Sequence, residues 1–133
     1  MELLQLVYGT NIIRIEDKIK TIAKDYAGTL DDFSFTKLNY KETAIEQIIE
    51  EAQTLPFLTD KKVIVIEEAV LFTAQKAGGS AEHNIDLLID YIQNKNDDTL
   101  LIFTVISEKL DKRKKVTKLI TERGKQIEIN EMT

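Results

Sequence analysis

The sequence predicts an α/β fold, a parallel sheet held between two layers of helices. Two runs, Val63-Ile64-Val65-Ile66 and Leu100 to Ile106, are apolar at consecutive positions (Thr104 excepted), so both faces of those strands must be covered. Apolar residues at 3–4 residue spacing recur between the strand-like runs, the signature of amphipathic helices. The resulting order, β-α-β-α-β-loop-α-β-α-β, supplies the long crossovers that parallel strands need, and their right-handedness limits the topology to doubly wound forms.

Each element has a local reason. Leu3-Leu4-Gln5-Leu6-Val7-Tyr8 is a buried-strand run that ends at Gly9. Asn11 then caps a helix carrying Ile12, Ile15, Ile19, Ile22 and Tyr26 on one face, and Gly28 stops it. Phe33, Phe35 and Leu38 mark a weaker strand. Thr43 and Glu46 have capping-box spacing before a second helix with Ile45, Ile48, Ile49 and Ala52 on its inner face. Pro56 ends that helix no later than Leu55. After the β-branched run Val63–Ile66, the stretch from Glu67 to Ala81, with Gly78-Gly79-Ser80, reads as a mobile surface loop. A third helix follows on Ile85, Leu88, Ile89 and Ile92, with Leu87 and Tyr91 as a second buried pair. Asn94 to Asp98 is a turn, and Leu100–Ile106 is the fourth strand. Val116, Leu119 and Ile120 carry a fourth helix closed by Gly124, and Lys125–Ile129 alternates as an edge strand.

Composition narrows the function. A chain of 133 residues fits one domain with a sizeable core. No apolar run reaches the length of a membrane span and no signal peptide opens the chain, which predicts a cytoplasmic protein with no membrane partner. The absence of Cys removes thiol nucleophiles, disulfides and thiolate zinc sites, and a single His, His83, removes multi-histidine metal sites. His83 is read as exposed, with no Ser or Asp in an identifiable relation to it. A net charge of −5 opposes nucleic-acid binding by the domain as a whole.

In doubly wound sheets ligands bind at the carboxyl ends of the strands. The first such end reads Tyr8-Gly9-Thr10-Asn11-Ile12-Ile13-Arg14. A phosphate loop needs several glycines and a Lys-Ser/Thr pair, and this turn has one Gly, no such pair, and isoleucines where phosphate would sit. Glu67 and Glu68 resemble the acidic end of a Mg²⁺-binding strand, but without a phosphate loop they read as a solvated strand end. No catalytic, cofactor-binding or metal-ligating residue is assigned.

Two segments stand out as interaction surfaces. In Thr54-Leu55-Pro56-Phe57-Leu58-Thr59-Asp60, three large apolar residues surround a Pro in a short helix-to-strand connection that cannot turn all of them inward. Burying a Leu or Phe is worth roughly 1.5–3 kcal/mol, so an exposed pair is a compact anchor for a partner's pocket. The run Lys109-Leu110-Asp111-Lys112-Arg113-Lys114-Lys115, with Lys118 a turn later, reads as the opening of the fourth helix with Asp111 as cap. Cations there oppose the helix dipole, which points to a surface for phosphates or carboxylates.

Taken together, Tyr8-Gly9 before an amphipathic helix, Leu55–Ile66 and Lys109–Lys115 resemble the delta subunit family of bacterial DNA polymerase III, and the resemblance runs through the whole chain. It implies a three-layer domain like those of RecA and AAA+ proteins, with a five-stranded parallel sheet in the order 5-1-4-3-2 and no functional phosphate loop. It implies that residues 1–133 are the N-terminal domain of a longer clamp-loader chain, cut after the fifth strand at Asn130–Thr133. It also implies a subunit that neither binds nor hydrolyses ATP, needs no cofactor, and inserts a hydrophobic wedge into the sliding clamp (beta subunit) to open the ring. Carried over residue by residue, Leu55 and Phe57 form the wedge, Pro56 and Leu58 border it, and Gln53 lies at a further contact. The register between Phe57 and Leu58 stays open by one position. The implied partners are the clamp, the other loader subunits (gamma/tau and delta prime) and primed DNA. Two other readings remain: a nucleic-acid-binding module using Lys109, Lys112, Arg113, Lys114, Lys115 and Lys118, and an unorthodox nucleotide-binding domain near Gly9 and Glu67.

Overall fold

A computed structural model describes residues 2–28, 30–31, 34–55, 60–75 and 83–130. The elements run β1 (Leu4–Gly9), α1 (Ile12–Ala27), β2 (Phe35–Asn39), α2 (Ile45–Gln53), β3 (Lys62–Glu67), a 3₁₀ turn (Val70–Phe72), α3 (Ile85–Gln93), β4 (Thr99–Ile106), α4 (Lys115–Arg123) and β5 (Lys125–Ile129). All four strand pairings are parallel, and the sheet order is β2-β3-β4-β1-β5, the implied order read from the other edge.

Strand alternation divides the core into two layers. Val7, Val63, Val65, Leu100 and Ile102 face α1, which buries Ile15, Ile19, Ile22 and Ala23 against them. Leu4, Leu6, Ile64, Ile66, Leu101 and Phe103 face the other way, under α2, α3, α4 and the 3₁₀ turn. The central strands are therefore covered on both faces, while β2 and β5 are half-buried edges. Asn11 caps α1 by accepting from the Arg14 N–H at 3.1 Å, and Gly28, at φ +84, ends it with a 2.8 Å bond to the Lys24 carbonyl.

Several local expectations are corrected. Thr43 does not cap α2; Ala44 occupies that position with no side-chain bond, and Thr43 belongs to the turn leaving β2, its N–H donating to the Asn39 carbonyl at 2.9 Å. Glu67 to Ala81 is not surface loop throughout: Ala69, Val70, Leu71 and Phe72 are buried, Phe72 meeting Phe103 edge-on with ring centroids 5.1 Å apart. Residues 76–81 of that stretch lie outside the described residues. Ile12 and Leu87, assigned to buried faces, are 53% and 38% exposed. His83 is half-buried, stacked on Tyr40 at 3.7 Å, and burial lowers its pKa. The fourth helix begins at Lys115, so most of the basic run precedes it.

That run is a structural strap. Leu110 is buried in the core, the Asp111 N–H donates to the Phe72 carbonyl at 2.8 Å, and the Thr117 hydroxyl donates to the same carbonyl at 3.3 Å. The Lys114 ammonium donates to the carbonyls of Thr73 at 2.6 Å and Leu71 at 3.3 Å, turning its charge inward onto the end of the 3₁₀ turn. Asp111 caps no helix; its carboxylate accepts from the Arg113 N–H at 3.1 Å and guanidinium at 3.0 and 3.1 Å. These guanidinium bonds hold the Asp111 carboxyl at about 2, below its ordinary 3.8. Because the folded value is depressed, the stability it contributes is present above 3.8 and is lost as pH falls through about 2. An NMR titration should find that midpoint near 2 and should find it displaced upward in Arg113→Gln.

Candidate functional site

The end of α2 leads directly into Leu55, and the way that end is built fixes where Leu55 starts. A helix leaves its last four carbonyls without intrahelical partners. Here those of Glu51, Ala52 and Thr54 are taken up by side chains, while that of Glu50 keeps its helical partner. The Glu50 carbonyl accepts from the Thr54 N–H at 3.0 Å and from its hydroxyl at 2.7 Å. The Glu51 carbonyl accepts from the Lys62 ammonium at 2.6 Å, and the Ala52 carbonyl from the Asn96 amide at 3.3 Å. Lys62 is 5% exposed, also reaches the Thr54 carbonyl at 3.4 Å, and pairs with the half-exposed Glu51 carboxylate at 3.1 Å. A buried cation thus sits at the negative end of the helix dipole and joins α2 to the start of β3.

Leu55 follows immediately and is 69% exposed, the most open apolar side chain among the described residues after Ile13. Gln53 is exposed on the last turn of α2. Pro56, Phe57 and Leu58 lie outside the described residues. Lys62 escaped the sequence reading, although a Lys opening an otherwise apolar strand is a signal that something must receive its charge.

The first strand end is built differently from a phosphate cradle. Gly9 stands at φ +144, and a Cβ there would lie 1.9 Å from the Ile129 carbonyl oxygen. That oxygen accepts from the N–H groups of Thr10 at 3.1 Å and Asn11 at 3.3 Å, while Asn11 holds that of Arg14. The end of β5 therefore occupies the donors that would otherwise face an anion, and Ile12 and Ile13 are exposed beside it. Tyr8 ties the same two strands through a 2.9 Å bond to Glu128, and its phenol is pushed up to about 12 by burial and that carboxylate. At the end of β3, Glu68 pairs with Lys41 at 3.4 Å, and no cluster of three metal-ligating side chains occurs among the described residues.

The basic residues divide. Lys109, Lys112 and Arg113 border one cavity of about 640 Å³, with Thr73 and Ser107 on its wall. Lys114 is turned inward, Lys115 borders a different cavity beside Tyr40, and Lys118 is exposed on α4.

Known proteins resemble this chain in sequence and fold. The family model described as DNA polymerase III, delta subunit, matches residues 6–130. The DNA polymerase III subunit delta of Bacillus subtilis (strain 168) is 26% identical over 127 residues, covering 95% of this chain and 37% of that protein. The solved structure of the Bacillus subtilis DNA clamp loader delta protein superposes with a TM-score of 0.89 at 25% identity, over 100% of this chain and 40% of that one. A gamma subunit-related protein of DNA polymerase III from Thermotoga maritima shares the fold, with a TM-score of 0.57 at 8% identity over 98% of this chain and 42% of its own. The chain thus spans about two-fifths of the length of these relatives. With the family match running from β1 to the residue after β5, the chain belongs to the delta subunit family of DNA polymerase III.

Proposed function

We propose that the chain is the N-terminal, clamp-binding domain of a cytoplasmic clamp-loader subunit. Leu55 and Phe57 enter an apolar pocket on the sliding clamp, Pro56 and Leu58 border the contact, and Gln53 adds a polar one. The observation that carries this is Leu55, 69% exposed directly after a helix end whose carbonyls are held by Thr54, Lys62 and Asn96. An exposed apolar side chain on a rigid root loses little ordering entropy when it docks. Once docked, α2 presses against the clamp at its protomer interface and the strained ring opens. ATP binding by neighbouring loader subunits governs when the wedge is exposed.

The domain acts mechanically and catalyses nothing in this reading. The Thr10 and Asn11 N–H groups bonded to Ile129 support that, since no cradle is left for a triphosphate. Millimolar ATP with Mg²⁺ should accordingly leave the melting temperature unchanged, whereas a native-state ligand at 100 times its Kd would add about 2.7 kcal/mol. The wedge is tested by calorimetric titration of the chain with its sliding clamp, beside Leu55→Ala/Phe57→Ala. Saturable binding by the wild type, weakened at least 100-fold in a double mutant with native circular dichroism, is the expected result; equal binding by both refutes the wedge.

The cavity bordered by Lys109, Lys112 and Arg113 favours a second, compatible contact, with the phosphates of primed DNA in the assembled loader. Lys109→Glu/Lys112→Glu should reduce the salt dependence of DNA binding by the loader and leave clamp binding by this domain intact.

A further inference from the structure

We infer that the clamp-docking surface does not stop at the wedge but continues along the groove between α2 and α3, where it receives basic side chains of the same clamp protomer. This rests on the wedge reading above. The groove, about 360 Å³, is lined by Glu46, Ile49, Glu50, Gln53 and Thr54 from the α2 side and Leu87 from α3. It is continuous with the wedge, because Gln53 and Thr54 form its end and Leu55 is the next residue. Its floor is apolar: Ile49 is half-buried and Leu87 is 38% exposed on a helix whose neighbours Leu88 and Tyr91 are buried. A leucine left at the surface in a groove that ends beside the exposed Leu55 extends the same apolar strip.

The rim states what kind of surface it fits. The chain has 18 Lys and Arg, yet α2 (IEQIIEEAQ) and α3 (IDLLIDYIQ) contain none, while they carry Glu46, Glu50, Glu51, Asp86 and Asp90. Glu51 is engaged by Lys62, which leaves Glu46 and Glu50, one helical turn apart and both exposed, facing the groove. A like-charged pair at that spacing costs helix stability, and a partner's Lys or Arg relieves it on docking. The charge accelerates encounter and sets orientation, and the apolar strip of Leu55, Ile49 and Leu87 supplies the residence time.

The test measures association and dissociation rates of this chain with its sliding clamp at 50 and 300 mM salt. The variants are Glu46→Lys/Glu50→Lys, Leu87→Ala, Leu55→Ala/Phe57→Ala, and Asp17→Lys/Asp25→Lys as a charge-matched control on the exposed side of α1. The groove reversal should weaken binding at least tenfold at 50 mM, mostly through the association rate, and by less than threefold at 300 mM. Leu87→Ala should raise the dissociation rate several-fold at both salts, and the control should stay within twofold of the wild type. If the groove reversal behaves like the control while the wedge variant loses binding, the groove inference is overturned and the wedge stands. If the folded wild type does not bind, both fall together.

Discussion

Gly9→Ala is expected to destabilise the fold by about 3–5 kcal/mol, among the largest effects of any single methyl added to this chain. Two costs combine. The backbone at φ +144 is one that side-chain-bearing residues rarely adopt, worth about 1–3 kcal/mol. The new Cβ would also stand 1.9 Å from the Ile129 carbonyl oxygen, so β5 must move. Moving it breaks the bonds from Thr10 and Asn11 to that oxygen and loosens the Tyr8–Glu128 contact. For a chain of this length the loss amounts to a fall of roughly 10–20 °C in melting temperature. Urea unfolding monitored by circular dichroism checks it, and a loss below about 1 kcal/mol would mean that the end of β5 is not fixed by this contact.

Lys62→Met is the second large effect, and it separates two explanations of the same residue. If the exposed-side pair with Glu51 mattered most, Glu51→Gln would cost as much as removing Lys62. Half-exposed ion pairs contribute only about 0–1 kcal/mol, whereas leaving the Glu51 and Thr54 carbonyls unsatisfied beneath a buried side chain costs about 2–4 kcal/mol in total. Lys62→Met should therefore destabilise by about 2–4 kcal/mol and Glu51→Gln by less than 1. The same substitution should weaken clamp binding, although Lys62 is only 5% exposed, because the root of the wedge is released. Fluorescence-monitored unfolding and calorimetry measure the two effects separately.

The contrast between these residues shows what a sequence carries. Val63–Ile66 and Leu100–Ile106 were legible as strands covered on both faces because such burial leaves apolar residues at consecutive positions, Thr104 alone excepted. Asn11 and Gly28 were legible as helix ends because capping is chemistry between near neighbours. The turn Val70–Phe72 was not, since three apolar residues have no period and their burial depends on Leu110 and Thr117, about 40 positions later. Charge was misread for the same reason. Lys114 belongs by composition to a basic run, but the Thr73 and Leu71 carbonyls that receive it come from another part of the chain. In the candidate site, the Pro after α2 and the apolar residues around it were visible, and Leu55 is indeed exposed. The anchoring of that segment by Lys62 and Asn96 depends on two later elements and left only a lone Lys before a strand as its trace.

The central claim is that the segment after α2 enters the clamp, and one measurement addresses its position directly. The chain has no Cys, so a single Gln53→Cys gives a unique attachment point for a benzophenone photocrosslinker beside an intact Leu55. A matched Lys18→Cys places the same label on the exposed side of α1. Irradiation with the sliding clamp should join the label at position 53, and not that at 18, to apolar pocket residues of the clamp. Crosslinking that is equal at the two positions, or absent at 53 under conditions where binding saturates, would contradict the account.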